Sequence, residues 1–451
     1  MYTLRLGEDA RFSNREMIVF ILPVIFEQLM LGFLGIVDTF MVSSLGEISV
    51  AGVALVNRID NFAKQFLSAL GTGGGVVLAQ YIGARDRKNS ESSLENNVII
   101  VTAVGIFLMA VMVLFKSQII GLLFGGAKPE VLKVSNEYFS LTALSYPFTA
   151  LYYTCTAQFR VMGRSQITFI ASFAMMGINL VLKYIFIYKM NLGVSGAALS
   201  TLIAMALMSF VLLLELKSVR NKINIEKIHK IRFRKEMSWR ILKISVPNGI
   251  EQGMFQLGAL LIASLVSGLG TVAIAADQIA RNVAVFANCM SPAFAALMMT
   301  VVGQCMGAED VADAKKYVKH ILILDYIFTF CFIAVFLVIL KPVVSVFSVS
   351  DEAKDMAVNI MILYGICSMF FYPSSFVLPS ALRGAGDTKF VMYVASASMF
   401  LFRIGAAYFF VHILDMGVMG TWVAMVSDWV VRTSIFFVRY KKGKWQENKV
   451  I

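Results

Sequence analysis

The chain repeatedly offers apolar runs too long for anything but a membrane crossing. "FILPVIFEQLMLGFLGIVDTFMV" fills residues 20–42 and "ILILDYIFTFCFIAVFLVILKPVV" fills residues 321–344. A helix needs about 20 residues to cross the hydrocarbon core. Within that core every backbone N–H and C=O must find a partner inside the protein, which leaves helices or closed barrels. Continuous apolar runs, rather than alternating ones, select helices. Charged residues make up 15% of the chain and hydrophobic ones 58%, against about 25% charged in a soluble domain. The expectation is an all-α polytopic membrane protein. Twelve spans can be drawn, near 17–42, 47–80, 94–115, 131–157, 167–189, 194–216, 244–267, 271–304, 318–341, 355–380, 389–411 and 417–439.

Basic residues set the expected orientation. "RDRK" at 85–88, Arg160 with Arg164, the segment 215–243, "KKYVKH" at 315–320 and the tail "RYKKGKW" fall on one side. Segment 215–243 alone carries ten Lys or Arg against three Glu, whereas the opposite loops near 43–47, 190–193 and 412–416 carry few. The positive-inside rule then puts both termini in the cytoplasm, in a multi-pass protein of the plasma (inner) membrane. The net charge of +12 is accounted for by these loops and gives no reason to invoke nucleic acid. The first span lacks the short apolar region and small-residue cleavage site of a removable signal. Cys155, Cys289, Cys305, Cys331 and Cys367 are scattered through apolar segments and read as small buried hydrophobes.

The two halves repeat. "PVIFEQLM" at 23 aligns with "PNGIEQGM" at 247, "VSSLG" at 42 with "VSGLG" at 266, "QYIGARD" at 80 with "QCMGAED" at 304, and "GVSG" at 193 with "GVMG" at 417, all at a separation of 224 residues. The "R-x-x-G" of 160–163 recurs at 383–386 after a slip of one. Six spans lie between equivalent points, so the halves share one orientation, related by an axis along the membrane normal. Secondary transporters use this parallel-repeat plan, with the substrate cavity at the repeat interface. The expected division is residues 1–216, a basic cytoplasmic linker at 217–243, and residues 244–451 with a short tail.

"VDTFMVSSLG", "AQYIGARD", "GVSGAALST", "VGQCMGAED" and "LRGAGDT" together resemble the multidrug and toxic compound extrusion (MATE) family, in order and over essentially the whole chain. The resemblance implies two six-helix lobes and export of small amphiphilic, often cationic, molecules by a monomeric antiporter. The coupling ion would be a proton or sodium, with no other cofactor. Flippases of lipid-linked precursors share the architecture and are the alternative. Asp38 resembles the family's first-helix acid, which serves an ion-coupling site with residues matching Asn179 and Thr201. Where many members carry a second Asp, four residues after the Asn, this chain has Lys183. A cation in place of an anion favours protons over sodium and suggests an Asp38–Lys183 ion pair; the alternative is that Lys183 snorkels to the surface.

Repeat symmetry sorts the remaining polar residues. Intramembrane charges are functional candidates by default. Glu27 and Gln28 have twins in Glu251 and Gln252, each Glu four residues after a proline expected to kink its helix. They serve either as glue within each lobe or as cavity groups. Asp38, Asn179 and Thr201 have Ile262, Arg403 and Met425 as their repeat partners, so that polar set belongs to one half only. Arg58 and Arg281 are near-twins that could line a cavity; Asp60 and Lys64 have the i,i+4 spacing of a helix ion pair. Asp428, Trp429 and Arg432 read as an interfacial anchor near the end of the last span. "GTGGG" at 71–75 reads as close helix packing. Three His in no ligand-spaced cluster give no support to an enzyme or to a firm metal site.

Overall fold

The computed structural model describes residues 12–218, 233–347, 349–448 and 450–451, and only the backbone of Ile36 and Thr39. Most of the basic segment expected at 217–243 lies outside the described residues. The described chain is built from helices, with no strand. In the first half they are α1 (Asn14–Ser43), α2 (Glu47–Gly83), α3 (Arg87–Leu114), α4 (Lys116–Phe124), α5 (Pro129–Ala143), α6 (Tyr146–Val161), α7 (Ser165–Tyr184) and α8 (Gly193–Leu216). In the second they are α9 (Lys235–Ser267), α10 (Thr271–Ala287), α11 (Ser291–Gly307), α12 (Val311–Ser345), α13 (Asp351–Tyr372), α14 (Leu378–Gly384), α15 (Thr388–Ser398), α16 (Ala406–His412) and α17 (Gly417–Lys441). Three short π-helical stretches continue α7, α13 and α15, at Ile185–Lys189, Pro373–Val377 and Met399–Gly405.

Among the described residues ten helices are long and apolar enough to cross a membrane, and eleven if the bent pair α10–α11, with its 47° break, counts as one span. The remaining expected span, the fourth, near 131–157, is divided between α5 and α6, which Leu144 and Ser145 separate.

The repeat is a repeat of backbone geometry at the turns. Gly46 has φ 90° and ψ 168°, and Gly270 has φ 93° and ψ 167°, a region open essentially to glycine alone. Asp86 caps α3 by accepting from the Asn89 N–H at 3.1 Å; its equivalent Asp310 caps α12 from the Asp313 N–H at 2.9 Å. The residues just before these caps, Arg85 and Glu309, are left-handed at φ 57° and 58°, as are Asn191 and Asp415, both at φ 52°. The motifs shared by the two halves therefore encode where helices stop and start.

The chain divides into two compact units. One comprises Phe26–Gly249; the other comprises Ile250–Ile451 together with the start of the chain up to Ile25. Both boundaries fall inside a helix, two residues past Pro23 of α1 and two past Pro247 of α9. In the first unit "GTGGG" is a close-packing strip, as expected. A Cβ on Gly74 would lie 2.1 Å from the Asn97 side chain, whose amide donates to the Gly71 carbonyl at 3.1 Å. In the second, the core joins Trp422, Trp429 and Tyr364 to aliphatic residues of α9, α10, α12 and α13. All five cysteines are free; Cys155, Cys289 and Cys305 are buried, but Cys331 is exposed and Cys367 half-buried, which corrects the uniform burial expected of them.

Candidate functional site

A cavity of about 410 Å³ lies in the Phe26–Gly249 unit, walled by α1, α2, α5, α6, α7 and α8. Three acids line it, and each is held by one base. The carboxylate of Asp38 on α1 accepts from the ammonium of Lys183 on α7 at 2.5 Å. On α2, Asp60 and Lys64 pair at 2.5 Å across one helical turn. Glu27 accepts from Nη2 of Arg160 on α6 at 2.8 Å through each of its oxygens, and from the hydroxyls of Ser172 and Thr168 at 2.9 and 3.4 Å.

The members of the Asp38 pair differ in exposure. The Asp38 side chain is 35% exposed and that of Lys183 only 4%. Lys183 therefore does not snorkel; its ammonium is inside the unit, with the carboxylate on the cavity side. One turn earlier on α7, the Asn179 amide donates to the Thr201 hydroxyl at 3.0 Å, and that hydroxyl donates to the Ala197 carbonyl at 3.2 Å. The carbonyl oxygen of Asn179 is buried and unpartnered. The four residues of the expected coupling set thus share one cavity, as two hydrogen-bonded pairs.

The other cavity candidates separate. Glu27 lines the cavity, but Gln28 does not, and Arg58 is exposed on α2 outside it. Glu251, in the other unit, pairs with Arg383 at 2.5 Å. Gln252 is half-buried beside it in sequence. Arg281 is bound to Asp277 at 2.6 Å, one turn away on α10, and Asp277 also accepts from the Trp422 indole at 2.9 Å. Of the two arginines, then, Arg281 is neutralised by Asp277 and Arg58 does not line this cavity. Among the described residues no group of three or more His, Cys, Asp or Glu is placed to hold a metal.

Two features escaped the sequence. Arg160 reads as a loop charge in "RVMG", yet it ends α6 and turns inward to Glu27; Arg383 does the same for Glu251. The repeated Glu and the repeated R-x-x-G are one device, an ion pair present once in each unit, and their common recurrence was the available signal. Asp428, Trp429 and Arg432 do not anchor an interface: all three are at most 1% exposed. Position near a span's end cannot distinguish a lipid-facing side from a packed one.

Comparison with known proteins gives the family and the fold. The MatE family profile matches residues 23–185 and again 247–409, two blocks offset by the same 224 residues as the motifs. The chain is 24% identical over 459 residues to a probable multidrug resistance protein NorM of Thermotoga maritima, covering 98% of this chain and 96% of that one. It is 27% identical over 391 residues to the multidrug export protein MepA of Staphylococcus aureus, covering 84% and 81%. Its fold matches that of a MATE protein solved in a bent conformation, with TM-score 0.87 at 20% identity over 96% of each chain. A multidrug resistance MATE family transporter in an outward-facing conformation matches with TM-score 0.88, also at 20% identity over 96% of each.

Proposed function

This chain belongs to the multidrug and toxic compound extrusion family, and we propose that it is a proton-coupled exporter of small amphiphilic molecules in which the Asp38–Lys183 pair is the coupling element. It works in the plasma membrane by alternating access, with both termini cytoplasmic. The observation that carries the reading is the 2.5 Å contact between the Lys183 ammonium and an Asp38 carboxylate open to the cavity. Sodium at that carboxylate would face an ammonium at close range. Two like charges about 4 Å apart repel by about 4 kcal/mol at the effective dielectric of a protein site. A proton must displace the lysine too, but it neutralises the carboxylate as a covalent O–H and adds no second cation beside the ammonium.

Release has a consequence. Removing one partner of a buried ion pair leaves the other uncompensated, at a cost of about 3–5 kcal/mol. That is enough to bias a packed two-state element. The orphan carbonyl oxygen of Asn179, one turn before Lys183 on the same helix, offers the ammonium a neutral acceptor once Asp38 is protonated. Deprotonation on the other side of the membrane restores the pair. In this scheme Asp38 carries the proton, Lys183 reads its charge, and Asn179 with Thr201 holds the alternative arrangement.

The test is transport of ethidium in liposomes with proton and sodium gradients imposed separately. The proton gradient alone drives it in the wild type. Asp38→Asn abolishes it, and Lys183→Ala flattens its dependence on pH. Sodium-driven transport, or an unchanged pH profile in Lys183→Ala, would overturn the reading.

A further inference from the structure

In the unit holding Ile250–Ile451 one buried acid is shared by two arginines, and this points to an anion. Asp277 pairs with Arg281 and Glu251 with Arg383, one to one. Asp428 faces two bases at once: Arg403 and Arg432 each place an Nη1 3.9 Å from the same oxygen, Oδ2. Among the described residues two further acids of the unit are buried: Asp387 pairs with Arg439 at 2.8 Å, and Asp325 hydrogen-bonds the hydroxyls of Ser291 and Thr329 and forms no ion pair with Arg403 or Arg432. The Asp428 cluster thus holds a positive charge in excess within a membrane helix bundle, where an unpaired charge is costly and marks function.

Hydrogen bonding agrees with the charge count. Arg432 is 1% exposed, yet its Nε and Nη1 have no hydrogen-bond partner, and its Nη2 reaches only the Ser375 carbonyl at 3.5 Å. A guanidinium presents five donors in a planar fork suited to carboxylate or phosphate oxygens. Phe255 and Phe376 approach it at 4.9 and 4.8 Å from the ring centroids, fixing the plane of the fork. Beyond Phe376 the aromatic wall continues, with Tyr372 stacked on it at 4.3 Å and Trp429 edge-on to both. Arg403 is the accessible edge, at 16% exposure.

The backbone is irregular where the cluster is built. Arg403 lies in the π-helical stretch Met399–Gly405; Ser375 and Phe376 lie in the other, Pro373–Val377. Such stretches are rare and concentrate at functional sites. Arg403 also occupies the position equivalent to Asn179, so the two halves place opposite demands at matching points.

We infer that Asp428, Arg403 and Arg432 form an anion-binding site that takes the carboxylate or phosphate of an aromatic amphiphile, its ring against Phe376 and Tyr372. The substrates then include amphiphiles bearing an anionic group beside cations such as ethidium, a refinement that rests on the exporter reading. Isothermal titration calorimetry of the detergent-solubilised full chain tests it, with benzoate as the probe, benzyltrimethylammonium as the cationic control and chloride as the inorganic one. Benzoate binds, and Arg432→Gln and Arg403→Gln each weaken it at least tenfold, whereas Arg432→Lys, keeping the charge, falls between. A monodisperse elution profile checks that each variant is folded, and Arg403, at the exposed edge, is the safer substitution. Absent benzoate binding, benzoate binding as tight in both Gln variants as in the wild type, or binding of chloride but not benzoate would overturn the site. Proton-driven ethidium transport in the same preparation separates the two readings: its loss refutes the exporter and leaves the benzoate result standing.

Discussion

Asp38 and Lys183 share one ion pair but not one environment, and that inequality governs what each substitution does. Both line the cavity, but the Asp38 side chain is 35% exposed and that of Lys183 only 4%. Glu27 is different. It is 4% exposed and accepts from a guanidinium and two hydroxyls, which makes it a strut. Its removal is expected to affect stability before transport. Glu27→Gln and Arg160→Gln singly lower stability by about 3–5 kcal/mol, and the double variant costs less than their sum. Thermal unfolding of the four proteins in detergent measures the cycle; strict additivity would show that the pair does not act as a unit. Legibility at this scale followed sequence separation. Asp60 and Lys64 were readable because one helical turn joins them. Asp38 and Lys183 were readable only through a family position. Glu27 and Arg160, 133 residues apart, were each noticed but not joined, because nothing local connects them.

The helices themselves were largely legible, since an apolar run of membrane length permits little else. Their interruptions were not. The break between α10 and α11 has no counterpart in α2, its repeat equivalent, which runs unbroken from Glu47 to Gly83. The π-helical stretches at Pro373–Val377 and Met399–Gly405 leave no periodicity mark over so few residues. Turns carry clearer chemistry. Gly46 and Gly270 both occupy backbone space that a Cβ makes costly by about 1–3 kcal/mol, although no neighbouring atom would touch that Cβ. Gly46→Ala and Gly270→Ala are therefore expected to lower the thermal midpoint, each to a similar degree, through torsion alone. Circular dichroism on heating provides the measurement, and unchanged midpoints would contradict the backbone assignment.

For the whole molecule, charge and repeat make a joint prediction about orientation. Basic residues collect in the loops that follow α2, α6, α8 and α17 and are sparse in those before α2, α8 and α17. In a chain whose own cysteines have been replaced, Ser44→Cys reacts with a membrane-impermeant maleimide added to intact cells, whereas Ala308→Cys reacts only after permeabilisation. The reverse pattern would invert the proposed topology. The matched torsions at Arg85 and Glu309, and at Asn191 and Asp415, carry a last consequence. Duplication left the two halves a common chassis in which opposite charges tolerate the same bend, so each half had latitude to change its chemistry without relearning its shape. Evolutionary novelty in such a protein has two addresses. On the proposed function, changes at twinned residues such as Glu27 and Glu251 are expected to threaten the fold, while changes at Asp38, Lys183, Arg403 and Arg432, which have no like twin, are expected to alter what crosses the membrane.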